Sequence, residues 1–118
     1  MIAKKFRFHG YGSLKFVYSK GDSVRSRFIA MKFIKNTRRQ DSRLAIVVSK
    51  KVTKKAPVRN QIRRRLYEAM RQRWPMILPG YDIVITVFDE RVATIDTNQL
   101  QQYVDELLDQ AKLHKHDQ

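Results

Sequence analysis

The chain of 118 residues contains no cysteine. Disulfides, zinc knuckles and thiol nucleophiles are therefore excluded, and a reducing cytoplasm is the easiest home for it. Glycine is scarce as well, and the four present are not grouped as in a phosphate-cradling loop. No apolar run approaches the roughly 18 residues that a membrane span requires, and the basic start, residues 1–8, is not followed by an apolar stretch of signal-peptide length. Acids are missing where bases are dense. Residues 1–80 hold 22 Lys and Arg against Asp22, Asp41 and Glu68, a net of +19, whereas residues 81–118 hold three bases and eight acids, a net of −5.

These absences bear on catalysis. A protein nuclease needs clustered carboxylates to hold Mg²⁺, or a pair of histidines, to activate water and stabilise phosphorane charge. The three acids of the basic region are far apart in sequence, and His9, His114 and His116 sit in the two tails. The sequence thus points to binding without bond breaking. With 42% hydrophobic residues and this length, one core and one domain are expected, residues 1–118.

What is present is concentrated in residues 49–73, where ten Lys or Arg meet the single acid Glu68. Like charges at this density are stable when phosphates replace their condensed counterions, so a polyanion is the expected partner. The second half of the stretch reads as a helix opening at Pro57, with no Gly or Pro until Pro75. At about 100° per residue, Val58, Ile62, Leu66, Ala69 and Met70 share one sector, while Asn60, Arg63, Arg64, Tyr67 and Arg71 share the opposite one. Arg59 falls on the border. Arg65 falls beside the apolar sector, its methylenes covering the core edge and its guanidinium reaching water. A solvated charged face is the ordinary reading of a helix of mixed sign; with acids nearly absent, nucleic-acid contact is favoured.

The run Lys55-Ala56-Pro57-Val58-Arg59-Asn60-Gln61-Ile62-Arg63-Arg64, preceded by Ser49-Lys50-Lys51-Val52, resembles the signature of the bacterial ribonuclease P protein subunit. The likeness extends over about residues 13–113 through the order of elements. Tyr67 stands where the family has a base, Arg63 where Lys is commoner, and Thr53 where Gly is frequent. The resemblance implies an α+β domain in the order helix, three strands, helix, strand, helix, with a left-handed crossover around the basic helix. It also implies a subunit that binds a catalytic RNA and the unpaired 5′ leader of precursor tRNA, promoting leader removal while Mg²⁺ is held mainly by the RNA. No organic cofactor, membrane or further protein partner is implied. In this reading Arg59, Asn60, Arg63, Arg64, Tyr67 and Arg71 contact RNA, Lys50, Lys51, Lys54 and Lys55 track phosphates, and Leu14, Tyr18 and Phe33 line the leader cleft. From the residues alone Leu14 and Tyr18 read as core, and Asn60 either bonds a phosphate or base edge or tethers a loop carbonyl. The alternative function is a ribosomal or assembly-type structural RNA binder; a stand-alone nuclease is a third.

The rest of the chain frames that stretch. Residues 1–12 interleave Lys4, Lys5, Arg7 and His9 with Phe6, Phe8 and Tyr11, fitting either a flexible arm that stacks on bases or a strand edge. Ser13 would cap a short helix ended by a left-handed Gly21. The resemblance implies a further short strand, placed near Ser23-Val24. Residues 25–35 alternate as a strand, with Phe28, Ala30, Lys32 and Ile34 on one side and Ile29, Met31 and Phe33 on the other. Residues 43–49, apolar through Ala45-Ile46-Val47-Val48, read as a mid-sheet strand forming an antiparallel hairpin with it. Residues 81–88 read as a buried strand after a Trp74 lid. Residues 96–111 read as a helix capped by Asp96 and Gln99 in the manner of a capping box, and residues 114–118 as a frayed tail.

Overall fold

The structure is a computed structural model that describes Arg7, residues 11–38 and residues 40–115, leaving the side chains of residues 11–13 aside. In chain order it forms α1 (Tyr11–Lys20), β1 (Asp22–Arg25), β2 (Ile29–Lys35), β3 (Arg43–Val47), α2 (Ala56–Arg73), β4 (Tyr81–Val87) and α3 (Thr97–Ala111), with 3-10 turns at Trp74–Met76 and Glu90–Ala93. This is the expected order of elements in an α+β domain.

The strands run in the spatial order β1-β2-β4-β3. β1 and β2 pair antiparallel, as do β2 and β4, whereas β3 pairs with β4 in parallel. The expected β2–β3 hairpin is therefore not formed, and β3 lies at the edge of the sheet. The reason is visible in β4. Ile83, Val84 and Ile85 are fully buried and Val87 nearly so, which makes β4 the strand apolar on both faces, and it takes the centre. β3 is nevertheless apolar because both its faces are covered: Leu44 and Ile46 join the core with α2 and α3, and Ala45 packs with Val17 of α1 and Val84. A parallel neighbour demands a long crossover, and α2 supplies it.

One face of the sheet thus carries α2 and α3, the other α1. Ile29, Met31 and Phe33 point to the first, with Ile62, Leu66, Met70, Leu100, Val104, Leu107 and Leu108. Leu14, Tyr18 and Ile34 lie against the second cluster. Phe28 departs from the expected alternation. Its φ of 70° is the left-handed region that a bulky residue seldom enters, and its ring meets Tyr103 of α3 edge-on at 6.0 Å.

Ends of elements follow recognisable chemistry, with three differences from expectation, the first being that α1 begins at Tyr11, so Ser13 lies within the helix and not at its N-cap. Gly21 is needed for close approach and not for a left-handed φ: a Cβ there would lie 2.6 Å from the Val17 carbonyl oxygen and 2.9 Å from that of Phe33. The left-handed glycine is Gly80, at φ 83°. Asp96 caps α3 by accepting from the Asn98 N–H at 3.0 Å, but Gln99 donates to Tyr103 Oη at 2.9 Å, so the capping box is not closed. Trp74 is partly buried against the core, as a lid would be. Past α3, His114 bridges to Ile77, and the Lys115 N–H donates to the Met76 carbonyl at 2.6 Å. Residues 116–118, and the arm apart from Arg7, Tyr11 and Gly12, lie outside the described residues.

Candidate nucleic-acid interface

Three elements converge on a groove of about 720 Å³: Leu14 from α1, Ala45, Ile46 and Val47 from β3, and Pro57, Asn60, Arg63, Arg64 and Tyr67 from α2, with Arg7 completing it. β3 is the sheet edge, so among the described residues the groove opens where only the isolated parallel bridge from Arg7 to Leu44 follows. Its floor is apolar and its rim cationic. That pairing suits an unstacked strand of nucleic acid, which offers bases to the floor and phosphates to the rim.

α2 presents the rim because its opposite face is committed to the core. Ile62, Leu66 and Met70 are fully buried and Ala69 nearly so. Tyr67 corrects the expected wheel: it is 9% exposed and belongs to the core cluster. Its ring forms a wall of the groove, under the Arg7 guanidinium at 5.7 Å. Burial pushes its phenol above the ordinary value, against the opposing pull of Arg7, a backbone hydrogen bond at Ile46 and Arg63. It stays neutral and ties α2 to β3.

The arginines of α2 divide by what they touch. Arg59 Nη1 donates to the Thr53 carbonyl at 2.9 Å, so this residue shapes the loop ahead of the helix. Arg65 was expected to reach water; instead it donates to the carbonyls of Val92 and Ile95, anchoring the 3-10 turn after β4. Arg71 is exposed but paired with Glu68, Nε to Oε2 at 2.9 Å, and this hydrogen bond holds the Glu68 carboxyl well below the usual carboxylate range. Arg73 pairs with Asp105 of α3. Arg64 is exposed with no ion pair or hydrogen bond among the described residues, and Arg63 donates to Asn60 Oδ1. Asn60 therefore orients its neighbour and tethers no loop carbonyl, and its exposed amide is left facing the groove.

Lys50, Lys51, Lys54 and Lys55 are all exposed on the loop that enters α2. That loop is held by Val52 N–H to Ser49 carbonyl at 3.1 Å, Lys55 N–H to Thr53 Oγ1 at 3.3 Å and the Arg59 tether. Thr53 needs no left-handed φ, so a side chain fits where the family often has Gly. Lys55 is the N-cap and makes no side-chain cap bond, leaving the partial positive charge of an 18-residue helix open beside two lysines.

Two members of the expected leader cleft need revision. Phe33 points to the opposite face of the sheet, 8% exposed and 6.4 Å from the Tyr81 ring, so it cannot share a cleft with α1. Tyr18 lies on the correct face but outside the groove, its hydroxyl 2.9 Å from Thr86 Oγ1. Leu14 does line it. Sequence reasoning missed Ala45, Ile46, Val47, Pro57 and Arg7 as lining residues. Only Arg7 carried a signal, in the interleaved bases and aromatics of the arm.

Among the described residues no three His, Cys, Asp or Glu side chains gather as a metal ion would require. Among the same residues no helix is long and apolar enough to cross a membrane.

The partition of arginines makes a prediction. Arg65→Ala should destabilise the fold by about 1–3 kcal/mol, because two carbonyls lose a charged donor. A lowered urea midpoint with RNA affinity intact per folded molecule is the expected result.

The groove and its sorted cations define a basic α+β protein built to hold RNA. A family model described as Ribonuclease P matches residues 2–112. A ribonuclease P protein component from Symbiobacterium thermophilum is 34% identical over 114 residues, covering 95% of this chain and 96% of that one, and one from Synechocystis is 32% identical over 91 residues, covering 77% and 73%. The solved RNase P protein of Staphylococcus aureus superposes with a TM-score of 0.82 at 28% identity, over 93% of this chain and 98% of that one. That of Thermotoga maritima gives 0.78 at 26%, over 88% and 96%. The chain belongs to the ribonuclease P protein family, the protein subunits of an RNA-containing endoribonuclease of tRNA processing.

Proposed function

We propose that this subunit binds the catalytic RNA through the cations of α2 and its entry loop, and the unpaired 5′ leader of precursor tRNA in the groove, promoting endonucleolytic removal of the leader. The observation that carries this reading is the groove itself. A groove of about 720 Å³ with an apolar floor is rimmed by Arg7, Arg63 and Arg64 and sits beside four exposed lysines. Two polyanions repel each other, and a dense positive surface between them releases counterions and offsets that repulsion. The chemistry belongs to the RNA. Supporting this, the described acids form no metal-holding group, and those of the basic region are spent on the fold or scattered: Glu68 pairs with Arg71, while Asp22 and Asp41 stand apart on the surface. Mg²⁺ is accordingly held by RNA oxygens, no second protein is needed for the assembly, and the cysteine-free chain works in the cytoplasm.

Reconstitution tests the proposal. Purified protein added to its cognate catalytic RNA and a precursor tRNA should restore 5′ processing at Mg²⁺ too low for the RNA alone. An inert mixture would turn the reading to a structural RNA binder. Cleavage by the protein free of RNA would turn it to a nuclease in its own right.

A further inference from the structure

Leu14 and Phe16 are two residues apart on α1, so their side chains leave the helix on nearly opposite sides. Leu14 faces the groove. Phe16 faces a second recess, about 470 Å³, between α1 and the β2–β3 loop. It is 53% exposed, more than any other large hydrophobic side chain described, and belongs to neither hydrophobic cluster. An aromatic ring left in water beside a cavity is poorly accounted for by folding.

The surroundings include one exposed guanidinium and are firmly built. Arg38 stands over the recess with no side-chain ion pair or hydrogen bond among the described residues, whereas the Lys35 ammonium is drawn to the Pro79 carbonyl at 3.4 Å and over the Tyr81 ring, on the Phe33 face of the sheet. Asn36 fixes the loop at three points. Its N–H donates to the Gly80 carbonyl at 2.6 Å, its Oδ1 accepts from the Arg38 N–H at 3.1 Å, and its Nδ2 donates to Asp82 Oδ2 at 2.9 Å. The one carboxylate of the recess, Asp82, is 4% exposed and engaged by Arg43 at 2.8 and 2.9 Å, so it presents no free negative charge to an anion. Asp41, the other acid of the loop, lines a different cavity.

We infer that this recess takes one unpaired nucleotide of an RNA strand, Phe16 stacking on the base while Arg38 holds a flanking phosphate. The inference rests on the RNA-binding reading above for the identity of the strand and adds a site on the far flank of α1. Base–aromatic stacking is sequence-tolerant because every base has a π-face, so the site grips any sequence. Arg38 contributes the salt-dependent part.

The test uses the full chain and an adenosine oligomer of about 12 nucleotides carrying 2-aminopurine, a length within the span of one single-strand site. Phe16→Ala should weaken binding by about fivefold to a hundredfold and reduce the quenching of 2-aminopurine fluorescence. Phe16→Trp should keep both, and Arg38→Ala should lower the slope of log affinity on log salt by about 0.7. Phe16 is outside the core, so unfolding midpoints should not move. Equal affinity and equal quenching for Phe16→Ala and the unaltered chain, with Arg64→Ala still weakening binding, overturns this site alone and points to a protein partner for the ring. An unaltered chain that fails to bind the oligomer or the cognate RNA overturns the RNA-binding reading and this site together.

Discussion

Affinity for cognate RNA should fall by about two to four orders of magnitude as monovalent salt rises from about 50 to about 200 mM. The cations responsible are identifiable. Lys50, Lys51, Lys54, Lys55 and Arg64 are exposed, and Arg63 is aimed along the groove by Asn60. Each phosphate neutralised contributes about −0.7 to −0.9 to the slope of log affinity on log salt, so six contacts give the stated fall. Arg64→Ala should flatten the slope by about one contact's share without altering stability, since nothing described in the chain depends on that guanidinium. Arg71 is the instructive contrast. It lies on the same exposed face, but Glu68 already neutralises it, so Arg71→Ala should change the slope less than Arg64→Ala does. Filter-binding or anisotropy titrations at four or five salt concentrations check this. A flat response would show that charge does not drive the association.

The face that α2 buries and the longer elements were legible because they rest on local periodicity, whereas the short β1 was placed only through the family's order of elements. Ile62, Leu66 and Met70 recur at helical spacing, and Met31 and Phe33 alternate with Lys32 and Ile34. Strand order was not legible. A seven-residue polar link between two apolar strands reads as a hairpin, and only the two-sided burial of β4, a tertiary outcome, shows that it displaces β3 to the edge. The groove depends on that displacement, since β3 forms one of its walls. Side-chain roles on α2 were half legible for a related reason. Counting charges located the basic face, but it could not separate Arg64 from Arg65, whose acceptors at Val92 and Ile95 lie across the fold. Tyr67 escaped because a wheel angle places the Cα, while a long phenol swings back toward β3 and is buried there. Phe33 was assigned to the correct side of its strand, but nothing local stated which side α1 would cover.

Asp82→Ala should cost about 3–5 kcal/mol, the largest single effect on stability expected in this chain. Asp82 opens the central strand and is 4% exposed, directly opposite Arg43 in the β3–β4 register. Arg43 reaches it with two guanidinium nitrogens, and Asn36 adds a third donor. Removing the carboxylate takes two hydrogen bonds from a guanidinium whose side chain is only 13% exposed and frees the loop that Asn36 anchors. For a domain of this size the melting temperature should fall by roughly 10–25 °C. The pair itself is not thereby strongly favourable, because desolvation of both charges offsets much of their attraction. A double replacement, Arg43→Met with Asp82→Leu, should therefore recover most of the loss. That recovery separates an uncompensated buried charge from simple loss of packing: if the double variant is as unstable as Asp82→Ala, the cost lies in the loop and the strand contacts. The recess beside Phe16 shares this floor, so the double variant should keep its stability yet bind the adenosine oligomer less tightly than the unaltered chain.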